Sequence, residues 1–320
     1  MVGIRIHESL NSTDNLEYLN LGFYNFVFLD KELNLIIKVP KTIAVSQTRL
    51  YNLEEKQTNK KDFIFETPEN IAEYLDSLKI IESQKTLLSK KMLKHMELSS
   101  IVNTLPSFLH FKGFIVYKNI GVHAPNKIDI SPLIVEAFEF LPKLGNIDLF
   151  KNLDNILNII YDFRKYNNNG YYHNDLQDNC RNISSYLEGD IRKLKVIDLD
   201  DSKKISDLIN INDIRLDKLQ LLFKDYISLV KCLHFHSVIN SSDKQTLINI
   251  DYNALFSKLS TFGKDIEKKY EEIKIFIDNL YKKIIDKVNS VKVLKAGNYY
   301  NKYLKYKNKY LSLKNKNKFN

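Results

Sequence analysis

The hydrophobic period changes part-way along the chain, and that change limits the folds open to it. Over roughly the first 140 residues, apolar and polar positions mostly alternate between turn signals. Leu21 to Leu29 reads as a strand beginning at a glycine turn, Asp30 to Asn34 as a hairpin connection, and Leu35 to Val39 as a buried strand closed by Pro40. Strand character returns at Gly113 to Tyr117 and at Leu133 to Leu141, where Pro142 and Gly145 end the run. The stretch between Lys41 and Ser100 reads as helical and charged, with Pro68 near a helix start. After that the pattern is mostly helical: Ile147 to Tyr166 is amphipathic, the Asn167–Gly170 turn breaks it, and helical periodicity dominates again from Ile214. Only one strand pair interrupts it, Ile183 to Tyr186 with Leu194 to Leu199. The pattern predicts an α+β chain with a small β-rich lobe over residues 1–140, carrying a helical insertion, and a larger helical lobe over 141–290.

Charge separates the rest. The chain has 48 Lys+Arg against 39 Asp+Glu; nine of the lysines lie between Val291 and Asn320, where there is no acid, so residues 1–290 are balanced at 39 against 39. A body without basic excess is unlike a protein whose whole surface grips nucleic acid. Residues 291–320 form a separate basic tail. No run approaches the length of about eighteen apolar residues that a membrane span needs, and Arg5, His7 and Glu8 interrupt the N-terminus before a signal-peptide core, so a soluble, intracellular, cytoplasmic protein is expected. Two cysteines, Cys180 and Cys232, are too few for a disulfide framework, which agrees with a reducing compartment. His234 and His236 lack the company of a metal-ligand motif.

Four features carry chemistry. Lys38 stands inside an apolar strand, where burying a lysine costs on the order of several kcal/mol unless an anion meets it; it either snorkels to water or is aimed at phosphate. Gly22-Phe23-Tyr24-Asn25 precedes the strand paired with it, and glycine there lets backbone N–H groups approach an anion. His173-Asn174-Asp175-Leu176 places a carboxylate in a loop, where it can accept or orient the proton of an attacking hydroxyl. Val196-Ile197-Asp198-Leu199-Asp200-Asp201 runs a hydrophobic strand into carboxylates, and Asp198 has the hard oxygens that Mg²⁺ prefers.

The order of these pieces resembles the protein-kinase-like superfamily, whose signature runs from a Gly-rich loop to a strand lysine, an HxD loop and a DFG-type aspartate. Ala137-Phe138-Glu139-Phe140-Leu141-Pro142 looks like the hinge strand, and Lys224-Asp225-Tyr226-Ile227-Ser228-Leu229 looks like the large second-lobe helix whose aspartate braces the catalytic loop. The resemblance spans residues from about 20 to about 235. It implies a bilobal fold and the cofactors ATP and Mg²⁺. Gly22, Asn25, Val27, Lys38 and Glu139 would contact the nucleotide, with Lys38 on its α- and β-phosphates and also counted among the catalytic residues. Asp175 would be the catalytic base, His173 a structural hydrogen-bonding residue, and Asp198 a Mg²⁺ ligand. The asparagine expected five residues after the catalytic aspartate is replaced by Cys180; Asn182, followed by Ile183, fits a two-residue insertion, with Asn179 as the other candidate for the second metal ligand. The acidic partner of Lys38 is open among Glu54, Glu55, Glu73, Glu82 and Glu97.

Within that superfamily, His173-Asn174-Asp175 is similar to choline, ethanolamine and aminoglycoside kinases, whereas the hinge-like segment and Asp225–Leu229 look like a protein kinase. Transfer to Ser/Thr of a protein substrate is the favoured expectation, with a small-molecule kinase and an inactive kinase-like binding module as alternatives. In the tail, Tyr299, Tyr303, Tyr306, Tyr310 and Leu313 recur every three to four residues among lysines, so a helix there would carry an aromatic face. It reads as a docked or solvated terminal helix, as a contact for nucleic acid or an acidic partner, or as a membrane-adsorbing segment. The run also resembles C-terminal tails of giant DNA-virus proteins, which points to a viral origin.

Overall fold

The computed structural model describes residues 4–9, 16–21, 25–40, 61–65, 68–77, 82–117, 122–123, 129–130, 133–141, 152–176, 180–188, 191–209 and 216–316. They form an α+β structure that divides into two compact units, Met1–Pro142 and Lys143–Asn320.

The first unit contains β1 (Ile4–Ser9), β2 (Leu16–Leu21), β3 (Asn25–Asp30), β4 (Leu35–Pro40) and β5 (Lys61–Phe65). Helices α1 (Pro68–Ser77) and α2 (Glu82–Val102) follow, then β6 (Phe111–Tyr117), the short β7 (Val122–His123) and β8 (Asp129–Ile130), and β9 (Leu133–Glu139). Seven strands make one sheet in the order β2-β3-β4-β9-β6-β1-β5. Neighbours run antiparallel except β1 and β6, which are parallel. The β3–β4 hairpin turns where the sequence places it: Asp30 Oδ1 accepts the N–H groups of Glu32 (3.0 Å) and Leu33 (2.9 Å), and Asn34 takes the left-handed conformation (φ 54°) that Asn tolerates. Ile37, Val39, Phe114, Val116, Val135 and Phe138 are buried with Ile71 and Leu75 of α1 and Met92, Leu98 and Val102 of α2.

Two expectations change here. Leu21 to Leu29 is not one strand, because Leu21 ends β2 and Asn25 starts β3, with Gly22 outside the described residues. The span from Lys41 to Ser100 is not helical throughout; Lys-Asp-Phe-Ile-Phe forms β5, whose pairing to β1 overrides the charged surroundings.

The second unit begins with α3 (Leu153–Asn168), whose first turn is capped by Asn152 Oδ1 accepting from Asp154 N (2.9 Å). Then come β10 (Tyr171–Tyr172), the β11 (Ile183–Glu188) and β12 (Ile191–Val196) hairpin, β13 (Lys203–Lys204) and α4 (Ile205–Ile209). Helices α5 (Leu216–Leu222), α6 (Lys224–Phe235), α7 (Ser241–Ile248), α8 (Tyr252–Thr261) and α9 (Ile266–Lys316) complete it. The core gathers Ile160 and Phe163 of α3, Val196 of β12, Leu229 and Leu233 of α6, and Ile273, Ile277, Tyr281, Ile284 and Val288 of α9. Arg164 grips Asp278 with two hydrogen bonds, Nε to Oδ1 (2.5 Å) and Nη2 to Oδ2 (3.0 Å), locking α3 to α9. That guanidinium, together with Lys282 and Asn168, holds the Asp278 carboxyl at about 2, below its usual range.

The tail is not a separate element. α9 is one helix of 51 residues that starts in the core and continues through residue 291 into the basic segment. The buried stripe stops at Val288, and Val293, Leu294, Tyr299, Tyr300, Tyr303 and Tyr306 are all exposed.

Candidate functional site

In the first unit the sheet register assembles a row of side chains. Val27 on β3 lies opposite Lys38 on β4, Lys38 opposite Glu136 on β9, and Glu136 opposite Phe114 on β6. Directly opposed residues point to the same face, so Val27 and Lys38, eleven apart in sequence, share a face with Glu136. Lys38 is half-buried, with its Nζ 5.1 Å from the ring centre of Phe138. Glu136 is 1% exposed and meets two side chains of α2: Lys91 Nζ at 2.7 Å on Oε2, and His95 Nε2 on Oε1. His95 itself stacks on Phe111 and meets Phe114 and Phe138 edge-on. Burial alone would raise the Glu136 pKa, but the charges and hydrogen bonds of His95 and Lys91 outweigh it and hold the carboxyl down at about 2.

Glu136 is a buried carboxylate that the sequence reading did not single out, and its ion-pair partners are Lys91 and His95. Of the five candidates for the partner of Lys38, Glu73, Glu82 and Glu97 are exposed, and Glu54 and Glu55 lie outside the described residues. The signal was present in Leu-Ile-Val-Glu-Ala-Phe-Glu-Phe-Leu, where a carboxylate inside an apolar run demands a buried cation. Glu139 turns toward its own sheet neighbour: its N–H donates to His110 O (3.0 Å) and its Oε1 accepts the His110 N–H (2.8 Å). Gly22 lies outside the described residues, and of Asn25 only the backbone pairing with Pro40 is described.

In the second unit, three separate segments converge on one loop. Asp225, in the first turn of α6, is 1% exposed, and its carboxylate accepts the N–H groups of His173 (Oδ2, 2.5 Å) and Asn174 (Oδ1, 3.0 Å). Burial pushes the Asp225 pKa up even with these donors in place. His173, fully buried, places Nε2 3.0 Å from Ile197 O, and its Nδ1 accepts the Asp175 N–H at 3.3 Å. Asn182 Nδ2 donates to Asp175 O (2.5 Å) and Asp175 Oδ2 (3.2 Å), and Asn182 O accepts the Ile197 N–H (2.8 Å). Ile197 thus bonds both His173 and Asn182, and the next residue is Asp198. The chain turns sharply there: Asp198 has φ 62° and ψ 62°, so β12 ends at Val196, before the expected Leu199, and Leu199–Asp201 forms a single 3₁₀ turn. Left-handed backbone at a non-glycine residue costs on the order of 1–3 kcal/mol and persists where the surroundings impose it.

The loop therefore fixes Asp175 from both sides. Asn182 reaches Asp175, while Asn179 lies outside the described residues. Asp175 and Asp198 are half-buried, and carboxylate and amide oxygens such as those of Asp198 and Asn182 are the hard ligands that Mg²⁺ takes. Cys180, also left-handed at φ 59°, is joined by a disulfide to Cys232 of α6, with Cα atoms 5.7 Å apart. One cross-link is no framework, but it departs from the expectation of two reduced thiols; 52 residues of separation hid the pairing, which the approach of the loop to α6 creates. The ligand atoms of Cys180, Cys232 and His236 lie within 4.8 Å of one another.

No protein-family model matches the chain, and no curated protein matches its sequence. No helix among the described residues is long and apolar enough to cross a membrane.

Proposed function

We propose that the chain is an ATP- and Mg²⁺-dependent phosphotransferase of bilobal protein-kinase-like fold that moves the γ-phosphoryl group to a hydroxyl, in the first place Ser or Thr of a protein. The observation that carries the reading is the clamped loop. Asp225 holds the His173 and Asn174 amides, His173 meets the segment leading to Asp198, and Asn182 bonds Asp175. The backbone of the loop is held at His173 and Asn174 by Asp225, and the Asp175 carboxylate itself by Asn182, which is the preorganisation that a working carboxylate needs.

Each residue then has a task. Asp175 would accept the proton of the acceptor hydroxyl, while ATP, when bound, would supply the γ-phosphoryl group to that oxygen with ADP as the leaving group. Asn182, through its hydrogen bond to the carboxylate, keeps Asp175 turned to receive that proton. Lys38 meets the α- and β-phosphates, and Val27 offers an apolar contact on the same sheet face. Asp198 and the Asn182 amide oxygen would hold Mg²⁺, which supplies charge neutralisation on the phosphate oxygens when bound.

The test is transfer from γ-labelled ATP with Mg²⁺ to basic and acidic test proteins and, separately, to choline or another small alcohol. Labelled protein is expected, with Asp175→Ala and Asp198→Ala each abolishing transfer while retaining the circular dichroism spectrum of the parent. Label on the small alcohol alone transfers the reading to small-molecule kinases. Nucleotide binding without turnover marks an inactive module, and full turnover in both variants sinks the site assignment.

A further inference from the structure

The proposed chemistry leaves one pair of buried groups unused. Cys180 and Cys232 are 2% and 0% exposed and stand at the two ends of the clamp: Cys180 between Asp175 and Asn182, and Cys232 seven residues, about two turns, after Asp225 on α6. Their Cα separation of 5.7 Å is the common one for a disulfide. Cys180 also sets the local turn, because its carbonyl accepts the Ile183 N–H at 2.9 Å and its left-handed backbone reverses the chain just before Asn182. Whatever fixes Cys180 therefore fixes the amide that reaches Asp175. A ring nitrogen of His236 lies within 4.8 Å of both sulfurs.

We propose that the Cys180–Cys232 bridge is a redox clamp on the loop of Asp175 and Asn182: oxidised, it ties the loop to α6 in its working arrangement; reduced, it lets the Asn182 turn open. The inference rests on the phosphotransferase reading for what is regulated, and on geometry alone for the clamp. A peroxide is the oxidant. The Cys180 thiolate attacks one peroxide oxygen, giving a sulfenic acid and hydroxide; the Cys232 thiol then attacks that sulfur, the S–S bond forms, and the S–OH oxygen leaves as water with the thiol proton. Peroxide takes up the two electrons the sulfurs lose. A small dithiol reverses the change by two exchange steps and becomes a disulfide itself. Peroxide is small enough to enter through local opening of a loop.

The full chain, treated with hydrogen peroxide or with a dithiol and then desalted, tests this. Intact mass after thiol alkylation counts free cysteines: none is expected in the oxidised form and two in the reduced. Hydrogen exchange of the amides of residues 180–183 is expected to speed at least tenfold on reduction. kcat is expected to fall at least fivefold with KM for ATP changed less than twofold, and peroxide should restore it. Cys232→Ser should match the reduced wild type and ignore peroxide; reduction of the wild type itself decides the matter if that variant does not fold. Two free thiols after peroxide, one equivalent of bound zinc that is lost on alkylation, or equal exchange and equal kcat in both forms would each overturn the clamp. Redox-dependent exchange without turnover in either form keeps the clamp and sinks the phosphotransferase reading. Measurable and equal turnover with equal exchange in both forms does the opposite.

Discussion

Asp225→Ala is the most informative single change in the second unit. It removes the acceptor of two backbone N–H donors, the buried one of His173 at 2.5 Å and the part-buried one of Asn174 at 3.0 Å. An orphaned buried donor costs about 1–3 kcal/mol, which gives about 2–6 kcal/mol for the pair. Part is returned, because the variant no longer buries a carboxylate that its surroundings disfavour, as the upward pKa shows. A net loss of about 2–4 kcal/mol is expected, a large part of the roughly 5–15 kcal/mol a domain possesses. With a urea m-value of about 2 kcal/mol/M, the midpoint of the transition should fall by about 1–2 M. Asp225→Asn keeps one acceptor oxygen and turns an NH₂ group toward the other donor, so it should fall between the parent and the alanine variant. The measurement is urea unfolding of the full chain followed by circular dichroism, with hydrogen exchange at the His173 and Asn174 amides as the local readout. If Asp225→Ala unfolds within about 0.5 kcal/mol of the parent and those two amides stay equally protected, the loop is not held by α6 and the account of the clamp fails.

Three further outcomes are expected. Glu136 is held near 2 by His95 and Lys91, below its ordinary 4.5, so the unfolded chain binds its proton more readily; the stability this group contributes is full above about pH 4.5 and drains away as the pH falls toward 2. Urea midpoints measured across that window should show the loss, and Glu136→Gln should flatten it. Gly170 has φ 86°, a backbone that L side chains rarely adopt, so Gly170→Ala is expected to lose about 1–3 kcal/mol in thermal or urea unfolding; an unchanged midpoint would show that this turn relaxes without strain. Ending the chain after Ser290 removes side chains that are largely exposed, such as Val293 and Tyr299, so the urea midpoint should move by less than about 1 kcal/mol equivalent; collapse of the fold would show that the tail is docked.

The sequence was readable wherever the chemistry is local or strung along one strand. The Asp30–Asn34 turn and the strand carrying Lys38 follow from short-range patterns, whereas the helix opening at Lys224-Asp225 was expected from the motif resemblance. What was not readable depends on partners far away in sequence. The apolar run of β9 marks Glu136 as a carboxylate in need of a partner, but which partners it takes is decided only when α2 brings Lys91 and His95 to it. The end of β12 at Val196 depends on the bonds of Ile197 to His173 and Asn182, because the apolar run itself continues to Leu199. A helix over the basic segment was expected, but that it is the same helix as the one in the core was hidden, because burial stops at Val288 while lysine, leucine and alanine carry the helix on.

That continuity has a mechanical consequence. A basic segment on a flexible linker would sample its surroundings independently of the body, but here the same rod that fills the core carries the lysines outward, at about 1.5 Å per residue. From Val288 to Tyr306 the rod advances by about 27 Å. A fluorophore placed at Tyr306 should accordingly rotate with the correlation time of the whole unit, and anything seated on the lysines would act on Tyr281 and Ile284 as a lever acts on its fulcrum.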